Sequence, residues 1–352
     1  MPTRWTAAVV LISVSACSPA SNPNPHYGVA AVEDDSAVAI LDGDTGALLQ
    51  TISLNESMGS EVTRFSAHNV QVDAAARMAW VTAPPDMEPG ASMEMDDELI
   101  GIDLQKAVVT RRISLGRDQH VAHVVTHQGV AWVTANEANA VLRVDLEAGA
   151  VTDRIVLPAD TMPHGLRVTP DGKTLVLAGI GAGAAVLVDT DSRAVRSVAL
   201  PGRGVQAAVS STSTTGYVTV YDTRQVAKVD LATAGLTLFD LPTDSAGPLQ
   251  LYPTPDGTGL WVADQGMLDG QPAGDRLFLI DAKTGALLRT AKVGAGPHGV
   301  VVSPDGKRLW TTTLVNGTVD TVDTQTGEVL TSTAVGKRPN GISCAHVGGA
   351  MP

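Results

Sequence analysis

The stretch AGPHGVVVSPDGKRLW, residues 295–310, decides the fold. Its SPDG lies between a valine run and an apolar-aromatic run, and carries the Pro, Asp and Gly chemistry of a β-hairpin turn. The stretch recurs. PHGLRVTPDGKTLV (163–176) matches PHGVVVSPDGKRLW (297–310), and LYPTPDGTGLW (251–261) shares the turn. A second unit recurs beside it, as AILDGDTGALLQTI (39–52), VLVDTDSRAVRSV (186–198), FLIDAKTGALLRT (278–290) and DTVDTQTGEVLTS (320–332). The aspartates that end each apolar run are Asp42, Asp103, Asp145, Asp189, Asp230, Asp281 and Asp323, at intervals of 61, 42, 44, 41, 51 and 42. A period in the low forties holding four strand-length runs is the signature of a β-propeller with one blade per repeat. Seven anchors predict an all-β, seven-bladed propeller of four-stranded antiparallel blades.

Within a repeat the strands are A (HGVVVS), B (KRLWTTT), C (TVDTVD) and D (EVLTSTAV). The apolar, β-branched runs suit sheets packed on both faces. Twelve residues after the start-of-A position fall Trp80, Trp132, Tyr217, Trp261 and Trp310; Tyr27 is placed at the same point of the first strand B, and Val176 breaks the series. One shared role, packing between neighbouring blades, is expected of these rings. The chain ends on a lone strand A, NGISCAH (340–346), and begins with HYGVAAV, SAVAILD and GALLQTIS, the other three strands of a blade. Joining them closes the ring from one C-terminal and three N-terminal strands and leaves no sheet edge open. The expected organisation is a signal peptide over 1–16, a tether over 17–26, the propeller over 27–348 and a tail over 349–352.

This repeat resembles that of the YVTN family of seven-bladed propellers, whose unit runs PHGVAVSPDG, LYVTN, TVSVID. The likeness covers residues 27–348, is strongest over 163–200 and 297–335, and weakens at the SSTSTTG turn (210–216). It implies an exported surface protein, more distantly related to the haem d1 nitrite reductase, nitrous oxide reductase and methylamine dehydrogenase propellers, and leaves the function open. The N-terminus agrees with export: Arg4, a short apolar stretch, then Val14-Ser15-Ala16-Cys17. Ten to twelve apolar residues are too few for a stable membrane span. Small residues before a cysteine resemble the bacterial lipobox, which would lipidate Cys17, and Ser18 resembles an outer-membrane sorting signal; the plainer reading is an ordinary cleavage site. The expected location is the periplasmic side of the outer membrane or the cell surface, with membrane contact through the lipid anchor only.

A net charge of −13 with scattered basic residues excludes a phosphate-binding surface, so nucleic acid is not an expected partner. A small molecule or an envelope protein is, with the chain a monomer. If strand A lines the channel, as in the family, the start-of-A residues ring one mouth: His68, His120, His164, Val205, Leu249, His298 and Asn340. The two long intervals are B–C insertions opening on the same face, APPDMEPGASMEMDDE (83–98) and ADQGMLDGQPAGD (263–275). Loops gathered at one mouth of a rigid ring are where ligands bind. They add Met87, Met93, Met95, Asp264 and Met267 to the candidate residues. Two readings stand. Converging imidazoles His68, His120, His164 and His298 could take copper or zinc, methionine favouring Cu(I), and place the protein near redox chemistry. Otherwise PHG is a structural start to strand A, its Pro fixing the entry and its Gly allowing close approach, and no cofactor is expected.

Other signals are weaker. GIGAGA (179–184) is followed by a strand, so no helix N-terminus waits for a phosphate. DGDTG (42–46) has no distal glutamate for calcium and reads as a hairpin turn. Cys344 reads as channel-side packing, and His127 lies at a turn on the far face. No CxxCH, HExxH or nucleophile elbow is present, and no catalytic set is assembled from spacing.

Overall fold

Each C–D turn is built by its aspartate. In all seven repeats the anchor's Oδ1 accepts the N–H groups of the residues two and three positions on, within 3.2 Å. The residue four positions on is left-handed every time: Gly46, Ala107, Gly149, Arg193, Ala234, Gly285 and Gly327, with φ from 53° to 79°. These side chain-to-backbone bonds close the turn before any long-range contact forms. The A–B turns work the same way where they read [ST]PDG: Ser303 Oγ donates to Asp305 at 2.6 Å, and Gly306 turns the chain at φ 71°.

The computed structural model describes residues 26–58, 61–73, 75, 77–86 and 95–346. The proposed signal peptide, nearly all of the tether, and the tail lie outside them. Blade I joins Pro339–His346 (strand A) to His26–Val32, Ala37–Asp42 and Leu48–Ser53. Ala30 pairs with Ile342, and Gly28 with Cys344, so the last strand closes the ring on the first. Strand A of the other blades is Asn69–Asp73 in blade II, Val121–His127 in III and Pro163–Val168 in IV. Blades V, VI and VII begin at Gly204–Val209, Pro248–Pro253 and Pro297–Val302. Each blade has four antiparallel strands in the order A-B-C-D, a short two-stranded ribbon (Glu56–Met58 with Glu61–Thr63) lies between blades I and II in the chain, and each strand A touches the next around a complete circle of seven.

The core is divided to match. Seven apolar clusters lie one between each neighbouring pair of blades. The aromatics fill these seams: Trp80 between II and III, Trp132 between III and IV, Tyr217 between V and VI, Trp261 between VI and VII, and Trp310 between VII and I. Tyr27 packs on the I–II seam as expected, but at a different level. It pairs with Asp42, at the very start of strand B, and the aromatic level in blade I belongs to Val29, opposite Ser343. Cys344 likewise packs in the VII–I seam rather than toward the channel, because alternation turns its neighbour Ser343 inward instead.

Strand B threonines lock the blades in phase. Thr82 Oγ1 donates to the Ala122 carbonyl, Thr134 to His164, Thr219 to Leu249 and Thr312 to Asn340, at 2.6–2.9 Å, each reaching the first strand of the next blade. The same hydroxyls accept the N–H of Asn69, His123, Gln206 and Gly299 in their own blades. Shared register then defines three inward levels. The mouth level holds His68, Ala122, His164, Val205, Leu249, His298 and Asn340. The second holds Asn69, His123, Gly165, Gln206, Gln250, Gly299 and Gly341. The third holds Gln71, Val125, Arg167, Ala208, Tyr252, Val301 and Ser343.

Candidate metal and ligand-binding site

The second level mixes three glycines with four large polar side chains for a steric reason. A Cβ on Gly299 would lie 2.7 Å from the Asn340 carbonyl, and one on Gly341 2.7 Å from the Asn69 amide nitrogen. A Cβ on Gly165 would fall on Gln206. Glycine there lets the neighbouring blade's side chain cross the channel. His123 uses this room. It is 1% exposed and reaches up between two mouth-level imidazoles. Ring centroids of His123 and His164 are 4.8 Å apart, those of His68 and His164 5.7 Å, and those of His68 and His123 5.9 Å, all edge-to-face. One nitrogen from each of the three lies within 4.8 Å of the others. The three come from blades II, III and IV, side by side.

His120 is not among them. The mouth position of blade III is Ala122, two residues on; His120 stands on the exposed approach to the strand at φ 47°, beside Glu137. The cause is the turn. Blade III uses a two-residue hairpin, Gln128-Gly129 with φ 47° and 79°, where its sisters use the longer [ST]PDG loop. Counting twelve residues back from Trp132 therefore overshoots by two. The signal was present in THQGV (126–130), a tight-turn sequence that shortens the spacing, and in AHVV (122–125), which aligns with HGVV of blade VII.

Hydrogen bonds fix the tautomers of His164 and His298. His164 Nδ1 donates to the Val205 carbonyl at 2.9 Å, and His298 Nδ1 to Gln265 Oε1 at 2.6 Å. His68 Nδ1 lies 3.3 Å from Glu33 Oε1, while Asn340 donates to Glu33 Oε2 at 3.0 Å. Nδ1 of His164 and of His298 thus donates to an oxygen and leaves Nε2 as a lone pair, whereas His68 Nδ1 lies 3.3 Å from both Glu33 Oε1 and the Asn340 amide nitrogen; Nε2 of His68 and of His298 is buried without a hydrogen-bond partner. An imidazole held by an outer acceptor at one nitrogen and open at the other is the arrangement that metal-binding histidines adopt. The Gln206 amide nitrogen lies 3.3 Å from Nε2 of His123.

Burial first, and then the neighbouring imidazoles, keep His123, His164 and His298 uncharged. His164 is held at about 4 and His298 at about 3, and His123 is pushed well below its ordinary value. Burial works to raise Glu33, but the His68 contact, the Asn340 amide and Arg338 outweigh it and hold the carboxyl at about 2. His123, His164 and His298 therefore face the mouth as neutral imidazoles at pH 7, the state in which histidine is a ligand, with the Glu33 carboxylate ionised beside them.

The second insertion does roof this mouth. Leu268 and Ile180 pack onto Val205, Tyr221 and Leu249, and Asp269 with Asp222 clamps Arg203. Gln265, which orients His298, opens that insertion. Asp264 is fully buried and already committed, accepting from Ser245, the Gly247 N–H and Arg276. The Met267 sulfur rests against Gly296 and the side chain is part-exposed. In the first insertion, Met95 packs on the I–II seam and accepts from Thr63 at 3.5 Å, away from the imidazoles; Met87 and Met93 lie outside the described residues. The contacts of Met95 and Met267 are with Thr63 and Gly296 rather than with the imidazoles, and the Asn340 amide, besides donating to Glu33, lies 3.3 Å from His68 Nδ1.

No protein-family model matches the chain, and no curated protein is significantly similar to it. Solved structures are similar across most of its length. A periplasmic gluconolactonase of Pseudomonas aeruginosa matches with a TM-score of 0.66 at 17% identity, over 93% of this chain and 100% of that one. A 6-phosphogluconolactonase of Bacteroides fragilis, so described provisionally, matches at 0.67 and 15%, over 93% and 100%. A Lactobacillus plantarum protein matches at 0.70 and 12%, over 91% and 99%. At such identities the likeness establishes the propeller and nothing of the activity.

Proposed function

We propose that this chain is a cell-envelope binding propeller of the YVTN type whose ligand site is the imidazole-lined mouth, and that the site takes a transition-metal ion. The observation that carries this reading is the convergence of His68, His123 and His164, one ring nitrogen of each lying within 4.8 Å of the others. Zinc bonds imidazole at about 2.0–2.1 Å, so the three nitrogens need to draw together by roughly an ångström or less. Neutral imidazole suits zinc and copper, and an all-nitrogen set of three is one that zinc takes readily. Glu33 behind His68 and the Val205 carbonyl behind His164 supply the outer acceptors that raise ligand basicity. Three protein ligands leave a fourth position facing the mouth, where a small molecule or a side chain of an envelope partner would complete the shell. Anchoring through Cys17 belongs to the same proposal and would hold this mouth near a membrane surface.

The test is thermal unfolding of the purified chain with and without zinc. A ligand that binds only the folded state raises stability by RT ln(1 + [L]/Kd), about 2.7 kcal/mol at a hundredfold excess over Kd. A saturable rise in Tm that disappears in His164→Ala supports the reading. An unchanged Tm in both proteins ends it.

A further inference from the structure

The far end of the channel holds a second site of different chemistry. Beyond the second level the channel widens into a cavity of about 490 Å³, opening among the A–B turns, within the range of small-molecule pockets. All seven third-level residues line it, and its wall is mostly apolar: Val125, Val168, Val301 and Ile342 among them. One full charge stands in that ring, Arg167, donated by the strand that also carries His164. Its guanidinium has five N–H donors and stays protonated under all ordinary conditions. Among the described residues it makes one hydrogen bond, from Nη1 to the carbonyl of Leu166 at 2.8 Å, and no ion pair. The nearby Tyr252 hydroxyl is an uncharged neighbour, its phenol held protonated by burial.

Asp73 also lines the chamber, but forms no ion pair with Arg167, and a half-buried guanidinium facing a mostly apolar wall without an ion-pair partner is costly, so that a chain under stability selection alone would place leucine or glutamine there. The sister positions show as much: Val125, Ala208 and Val301 build the same level without a charge. We propose that Arg167 is the anchor of an anion site, and that the cavity takes a small organic carboxylate with its head on the guanidinium and its hydrocarbon body against the valine wall. A bidentate pair with the planar fork satisfies two of the free donors at once. The Gln71 and Ser343 side chains, which already bond each other at 3.4 Å, border the same chamber and add polar contacts at the carboxylate's edge. The site is at the opposite end of the channel from the imidazole cluster and does not depend on metal.

Calorimetric titration of the full-length chain with hexanoate, hexanol and sodium chloride tests this. The expected result is saturable hexanoate binding, at least tenfold weaker for hexanol, and lost by tenfold or more in Arg167→Leu. The variant is also expected to melt at the same temperature as the parent or higher, because an unpaired enclosed charge is removed, and so to remain a folded control. Equal binding of hexanol and hexanoate, or hexanoate binding retained in the variant, overturns the proposal. So does chloride binding as tightly as hexanoate, which would make this a halide site. A variant that melts well below the parent would show Arg167 to be a structural group bonded to Leu166, and would equally overturn it.

Discussion

His298 answers its own sequence context at the level of single atoms. Its proline and glycine neighbours shape the start of the strand, while its ring gives one nitrogen to Gln265 and leaves the other bare. Being held at about 3 against an ordinary 6.5, it takes up protons far more readily when the chain is unfolded. Its stabilising contribution is complete above pH 6.5 and falls as pH drops through the interval toward 3. By pH 5 the loss from this one residue reaches ~2 kcal/mol. Glu33 works in a lower window, from 4.5 down to about 2, so the fall between pH 6.5 and 4.5 belongs to the histidines. Denaturant melts across that interval are expected to show the parent weakening with acid and His298→Gln weakening less; parallel curves would refute this. His123 is the residue that spacing alone misplaced. What hid it was a local change of turn type: two residues fewer between strands A and B moved every count made from Trp132. His68, His164 and His298 were legible because their blades keep the longer [ST]PDG or an equally long connection.

At the scale of elements, the aspartate-anchored turn is the most regular object in the molecule, and it was readable from the sequence in all seven repeats. Its cost is visible too. Three of the seven left-handed positions carry a side chain, Ala107, Arg193 and Ala234. Ala234→Gly is expected to raise stability by up to about 1 kcal/mol, since only glycine takes this conformation freely; a lower Tm would mean that the alanine methyl's packing on the IV–V seam outweighs the strain. The opposite holds at the second level. Gly299→Ala brings a methyl against the Asn340 carbonyl and Ile342, and is expected to cost about 1–3 kcal/mol and to disturb the neighbouring blade. An unchanged melting temperature would show that the two blades can part without loss. The strand B threonines, by contrast, were invisible as a pattern. Thr82, Thr134, Thr219 and Thr312 alternate with alanine in sister blades, and only the phase of the ring shows that their hydroxyls bridge blades.

For the whole molecule, closure is the organising event. Seven seams of apolar contact form a circle, and the last is made by the final strand pairing with the first. A chain ending at residue 338 lacks strand A of blade I and exposes one edge of the first sheet. Loss of cooperative unfolding, or of soluble monomer, is expected on sedimentation and calorimetry; a truncated chain that melts like the parent would contradict closure as the source of stability. Blade number, ring closure and the common face of the histidines and second insertion all followed from a repeat of forty-odd residues. The Arg167 chamber did not, because a single arginine inside LRVTP has no meaning until seven strands place it on an axis.

The central claim is that three imidazoles on neighbouring blades form one ligand set, and the pair of histidines in blade III tests it most directly. Competition of the purified chain against a chromophoric zinc chelator gives the affinity and the stoichiometry. The account predicts one zinc per chain, affinity lowered a hundredfold or more by His123→Ala, and no change in His120→Ala. Zinc binding that survives the first substitution, or is lost with the second, would contradict it.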